Sequence, residues 1–347
     1  MSIKRAILDG WPLAYIPNSA AAIHLRTLLA YLPDGIEPIL ALPAEAKLEA
    51  ELDATEQITL ASKDLGAWQQ KTLQKAAKQR EAQLIHSTML GASLFGRIPT
   101  LISPSGPLQA DQYASRLSAA QSEGGLQRAH ILWPADIPQI PPYPHLHKLA
   151  PIAHPDFFSE AEPELPSFIP ESYLLAQGPF SEPDLRGMLE AWTWAAASIG
   201  EMYPLLLSGV APENAEAIEN LLPQYHLEEY VQVLPELAWS ELVSVYKGCS
   251  ALVVMRDGHY WGQSARLALA VGKTIVGPKN PGLESLVGPA AYLVEQGDLR
   301  SLGSTMIGSI VDERIWEKLE VAAKTRSKSW DGVQFKVKLS AIYEKFA

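Results

Sequence analysis

Short apolar runs alternate along this chain with longer stretches whose apolar residues recur at helical spacing. In the first half the runs at 3–8, 36–42, 58–60, 83–86, 100–103 and 130–133 predict buried strands. The stretches 20–31, 64–81, 88–95 and 108–121 predict helices between them. Asn18 and Ser19 stand where a cap is needed before the first helix, and Pro33-Asp34-Gly35 stops it. Strands separated by crossovers of this length pair in parallel through right-handed connections. From about 136 to 170 the pattern fails. Pro138, Pro141, Pro142, Pro144, Pro151, Pro155, Pro163, Pro166 and Pro170 interrupt any long element. This reads as a connection between domains, with one short strand at 148–153. Alternation then resumes, with strands at 173–177, 203–208, 230–234, 250–254, 274–276 and 292–294. The intervening helices are expected at 183–197, 212–222, 239–247, 261–270 and 298–311, the last capped by Asp298. Residues 313–346 are helical with a break near 328–332. The expected architecture is α/β: two Rossmann-like domains, 1–153 and 154–328, with parallel sheets facing a central cleft. A terminal helix at 329–347 follows.

One stretch concentrates the signals for a ligand. From Gly248 to Glu284 a strand, a polar turn, a helix and a second strand follow one another, with Gly262 at the helix entrance. Such a turn gathers backbone N–H groups and the positive end of a helix, which suits an anionic group. Ligands of open parallel sheets bind beyond the carboxyl ends of the strands, so the loops there are the candidate site.

Composition narrows the classes. Of the 347 residues 47% are apolar, with no run long enough to span a membrane and no signal-peptide pattern at the start. The single cysteine, Cys249, excludes an internal disulfide and fits a reducing, cytoplasmic setting. The net charge is −11; residues 1–150 hold 13 basic and 13 acidic residues, so the excess lies wholly in residues 151–347 (15 basic, 26 acidic). No basic patch points to nucleic acid. His145 and His147 have no carboxylate or cysteine at ligand spacing, and no metal is expected. Gly272-Lys273-Thr274 lacks the earlier glycine of a P-loop, since position 267 is Leu, and no G-x-G-x-x-G follows the first strand.

The second half carries a specific pattern. YLLAQG (173–178) and PLLLSG (204–209) are strands closed by glycine, and YVQVLPELAWSELVSVYKGCS (230–250) and HYWGQSARLALAVGKTIV (259–276) follow. Gly-Leu-Glu at 282–284, YLVEQGD (292–298) and SWDGVQFKVKLSAIYEKF (329–346) complete it. This order resembles the C-terminal domain of the group 1, retaining glycosyltransferases of GT-B architecture. PNSAAAIHLRTLLAYL (17–32) sits where that family has a glycine-rich turn before its first helix.

The resemblance implies a nucleotide-sugar donor held by the second domain, a saccharide or other polar acceptor held by the first, and a place in polysaccharide biosynthesis. It implies donor contacts from Gly178, Gly209, Val233, Leu234, Trp261, Gly262, Gln263 and Ser264. On the acceptor side it implies Asn18, Ser19, His86 and Ser103, and the terminal helix crosses back to the first domain. Four places depart from the family. Its two acidic positions fall on His259 and Leu267, its basic pair near Pro179 and Asp184, its strand-end histidine near Ser103, and its glycine-rich turn on Asn18-Ser19-Ala20. Asp257, His259 and His86 are the residues left as catalytic candidates, and Arg256, Arg266 and Lys279 as phosphate ligands. The alternative reading is an inactive GT-B domain serving as a binding or scaffold subunit with a protein partner.

Overall fold

The computed structural model describes residues 4–44, 46, 52, 55–108, 113–210, 212–256 and 260–346. The chain divides into two compact units. Unit 1 comprises Met1–His154, Tyr260–Gly262 and Asp331–Ala347; unit 2 comprises Pro155–His259 and Gln263–Trp330.

Unit 1 holds strands β1 (Lys4–Asp9), β2 (Ile36–Pro43), β3 (Glu56–Leu60), β4 (Leu84–Ser87), β5 (Thr100–Ile102), β6 (His130–Pro134) and β7 (His145–Leu149). They form one parallel sheet in the order β3-β2-β1-β4-β5-β6-β7. Unit 2 holds β8 (Leu174–Gln177), β9 (Leu205–Ser208), β10 (Val231–Val233), β11 (Ala251–Val253), β12 (Thr274–Pro278) and β13 (Ala291–Val294). Their order is β10-β9-β8-β11-β12-β13, again all parallel. Both are doubly wound sheets. The strand order reverses between β1 and β4 in unit 1 and between β8 and β11 in unit 2, and a crevice opens at such a point beyond the carboxyl ends.

Helices on both faces explain the unbroken apolar runs: β9 and β11 are buried at every position. One face of the unit 2 sheet packs Leu174, Ala176, Leu205, Leu207 and Val253 against Met188, Trp192 and Met306. In unit 1, Ile7, Ile39 and Ile85 pack against Trp68, Leu73 and Ala77.

Most elements fall where the pattern places them, and several caps are the expected ones. Ser19 Oγ accepts from the Ala22 amide at 3.3 Å, and Asp298 caps Leu299–Val311 through the Ser301 amide at 2.9 Å. Four expectations need correction. Residues 88–95 form no helix. Gln70 takes over their backbone groups, donating to Ala92 O and accepting from Leu94 N, both at 2.9 Å, while Ala92 N bonds Ser122 O at 3.0 Å. Of the helix expected at 108–121, residues 109–112 lie outside the described residues, and the helix described is Arg116–Gly125, started by the Ser115–Ser118 capping box. The connector strand is His145–Leu149, paired to β6, and 150–153 is irregular. The helix expected from 261 starts at Ser264, because Gly262 has a φ of +64° and ends the turn instead.

Candidate functional site

The loops at the unit 2 switch point are built from bare backbone and one ion pair. β8 ends in Gln177-Gly178 and β9 in Ser208-Gly209, and the two ends touch: Gly178 N donates to Ser208 O at 2.8 Å. A Cβ on Gly178 would lie 2.3 Å from the Gly209 carbonyl oxygen, and one on Gly209 would lie 2.4 Å from Gln177 Nε2. Gly209 also has a φ of +66°. Both glycines are therefore required by the close approach of two strand ends. The Ser208 hydroxyl beside them is buried without a hydrogen-bond partner among the described residues.

After Gly178 the chain enters the helix Glu182–Ala195, capped by Ser181 with Asp184 as the reciprocal partner. Asp184 accepts from the Ser181 amide at 3.1 Å and from the Ser181 hydroxyl at 2.5 Å. Its carboxylate also pairs with the guanidinium of Arg256, which follows β11. Arg256 is half exposed, so the pair is screened and is worth at most about 1 kcal/mol. Where the resembled family has a basic pair, this chain has Pro179 and Asp184, and the fold brings a cation to that spot, Arg256 from the segment after the neighbouring strand β11. No short-range sequence signal reveals this, because the partners are 72 residues apart.

The other expected donor residues are divided. Val233 is 39% exposed on the edge strand β10, whereas Leu234 is buried and its amide bonds Leu207 O at 2.8 Å. Gln263 and Ser264 open the helix Ser264–Val271, whose first turn has no acidic residue. Trp261 and Gly262 belong to unit 1. Trp261 is fully buried: its indole N–H donates to Leu132 O at 2.8 Å and its ring stacks on His24 at 4.9 Å. Its faces and its donor are occupied by protein, so it is a packing residue and not a sugar platform. A Cβ on Gly262 would lie 2.1 Å from the Ala20 carbonyl oxygen, so this glycine too is needed for packing. Leu267, at the second acidic position of the resemblance, is 1% exposed, and Arg266 is fully buried within the same helix. Asp257 and His259 lie outside the described residues.

The expected acceptor-side residues turn inward. His86 is fully buried at the end of β4, with Nδ1 2.6 Å from the Tyr343 hydroxyl and Nε2 2.7 Å from the Ser103 hydroxyl. Burial pushes its pKa down to about 3, so it is a neutral imidazole with both nitrogens engaged. Neither His86 nor Ser103 offers a free polar atom to an acceptor. Ser19 spends its hydroxyl on the helix cap, and Asn18 is buried. The switch point of unit 1 holds a residue the motif reading passed over. Asp9, at the end of β1, accepts from Trp68 Nε1 at 2.7 Å, Ser87 Oγ at 2.8 Å and the Trp11 amide at 3.1 Å. Burial raises its pKa against the pull of those three bonds.

Among the described residues no group of three or more His, Cys, Asp or Glu is placed to hold a metal ion, and no helix is long and apolar enough to cross a membrane.

Comparison with solved structures places this architecture. The chain is similar over nearly its whole length to a sucrose-phosphate synthase from Thermosynechococcus elongatus (16% identity, TM-score 0.69, 99% of this chain and 98% of that one). It is similar to HepE of Anabaena, solved in complex with UDP and glucose (15% identity, TM-score 0.73, 99% of each chain). It is also similar to WaaG, a glycosyltransferase involved in lipopolysaccharide biosynthesis (14% identity, TM-score 0.69, 97% of this chain and 99% of that one). The fold is the GT-B fold of glycosyltransferases. No protein-family model matches the chain, and no curated protein matches it in sequence.

Proposed function

We propose that the chain is a glycosyltransferase-like protein whose unit 2 holds a nucleotide sugar, the sugar passing with retention to a saccharide or other polar acceptor on unit 1. The observation that carries this reading is Arg256 at the switch point of unit 2, beside the start of the helix Glu182–Ala195 and paired to Asp184. A diphosphate carries more charge than one carboxylate and suits the guanidinium fork better, so it would displace Asp184 at small cost. The Ser208 hydroxyl beside the Gly178–Gly209 contact lacks a protein partner among the described residues. HepE, of the same fold, is described with UDP and glucose, which makes uridine nucleotides the first to try. Asp257 and His259 are the proposed sources of catalytic groups. We place the protein in the cytoplasm on its cysteine usage, a single buried thiol.

Calorimetry with UDP, GDP and UDP-glucose tests the reading. Saturable binding is expected, weakened about tenfold by Arg256→Gln, the loss of one charge-assisted contact. Addition of a chelator is expected to leave it unchanged. Absence of binding by every nucleotide would overturn the proposal. A second reading, binding without transfer in a scaffold subunit, is favoured by one observation: buried Leu267 stands where a second carboxylate is expected. Release of free sugar or formation of a glycoside from a bound donor would exclude it.

A further inference from the structure

Unit 2 has a second concave site, remote in sequence from the switch-point loops. Ser167, Phe168, Ile169 and Pro170 run beside strand β10 and line with it an open depression of about 630 Å³, floored by Pro204 and Val231 and rimmed by Glu228 and Glu229. Among the described residues β10 is the edge of its sheet and pairs only with β9. The register fixes which of its backbone groups are free. Leu205 N bonds Tyr230 O at 3.0 Å and Leu234 N bonds Leu207 O at 2.8 Å, so residues 230, 232 and 234 turn their amides toward β9. The N–H and C=O of Val231 and Val233 therefore point away from β9, and both residues line the depression. Gln232 Nε2 ties the two walls together through Phe168 O at 3.1 Å.

The chemistry of the lining selects an occupant. Phe168 and Val233 are 42% and 39% exposed, giving apolar contact for alternate side chains of an added strand. Glu228 and Glu229 are exposed, and no Lys, Arg or His lines the depression. The carboxylates would repel a second copy of this edge and attract cations. We propose that the outer edge of β10 is a docking site for an extended, basic peptide segment of a partner protein, which adds as a strand and sets Lys or Arg against Glu228 and Glu229. The outward amides of Val231, at the floor and 7% exposed, and of Val233, 39% exposed, have no hydrogen-bond partner among the described residues and supply the main-chain bonds, as in other cases of strand addition.

The probe is a short fluorescein-labelled peptide alternating Lys and Val, titrated into the full chain and followed by anisotropy. Saturable binding is expected, with none for the Glu-Val counterpart. Val231→Pro removes an outward N–H at an edge position that tolerates proline, and is expected to weaken binding about tenfold. Glu228→Lys with Glu229→Lys is expected to abolish it. N-methylating alternate amides of the peptide tests the same bonds without altering the protein. No saturable binding overturns the proposal. So does binding that responds to charge reversal but not to Val231→Pro or to N-methylation, since that is a diffuse electrostatic patch.

Discussion

Gly262 is the glycine that a donor-site reading would assign to a ligand, and its geometry gives a different reason for it. Its φ is +64°, and an added Cβ would meet the Ala20 carbonyl oxygen at 2.1 Å. Gly35 provides the internal control: its φ is +78°, with nothing within 4 Å of an added Cβ. Both belong to unit 1. Alanine at either position costs about 1–2 kcal/mol for the left-handed backbone, offset by about 0.4–1 kcal/mol of reduced freedom in the unfolded chain. For Gly35→Ala the account ends there, at roughly 0 to 1.6 kcal/mol. Gly262→Ala must also open the contact by at least 0.9 Å, from 2.1 to 3.0 Å. Ala20 is the first residue of a helix held by its Ser19 cap, so its carbonyl has little freedom to move. Such overpacking costs about 1–3 kcal/mol more. Urea denaturation, read as a shift in midpoint at constant slope, is expected to place Gly262→Ala roughly 2 kcal/mol below Gly35→Ala. Equal losses would refute the argument that close packing on Ala20, and not torsion alone, demands the glycine.

Tyr343→Phe leaves the buried Nδ1 of His86 without its partner at 2.6 Å and is expected to cost about 1–3 kcal/mol in the same denaturation assay. Stability should fall with acid. His86, His130 and His147 all have pKa values below the ordinary 6.5, so the unfolded chain takes up protons first and stability is lost as pH drops below that value. On the outer strands of unit 1, His130 Nδ1 lies 3.0 Å from His147 Nε2, with His145 stacked alongside and Lys345 adding positive charge. Replacing His130 and His147 together by Gln is expected to flatten the pH profile of the midpoint between pH 7 and 5, roughly the range over which an ordinary histidine charges. Burial pushes the Cys249 thiol up to about 12, so a disulfide-exchange reagent at pH 8 should label it only in denaturant.

The alternation of apolar runs and amphipathic stretches was sufficient to establish two parallel α/β sheets, because strand burial and helix facing are set by local periodicity. The caps at Ser19 and Asp298 were legible for the same reason: a cap and its amide lie within three residues of each other. Glycines closing β8 and β9 marked the strand ends, though only the folded register shows Gly178 against Gly209. What the sequence left open depends on partners far apart along the chain. Residues 88–95 have helical composition, yet Gln70 satisfies their backbone from another element. Trp261 adjoins a ligand-like turn, but its stacking on His24 and its bond to Leu132 make it core. Arg256 restores a cation across from Asp184, a pairing that no local motif encodes. The sequence by itself determined the layers and their order of elements, since these follow from local hydrophobic patterning. Tertiary structure alone decided which polar residues are spent inside the protein and which remain for a ligand, since a side chain's hydrogen bonds and burial are settled by neighbours that the fold brings together.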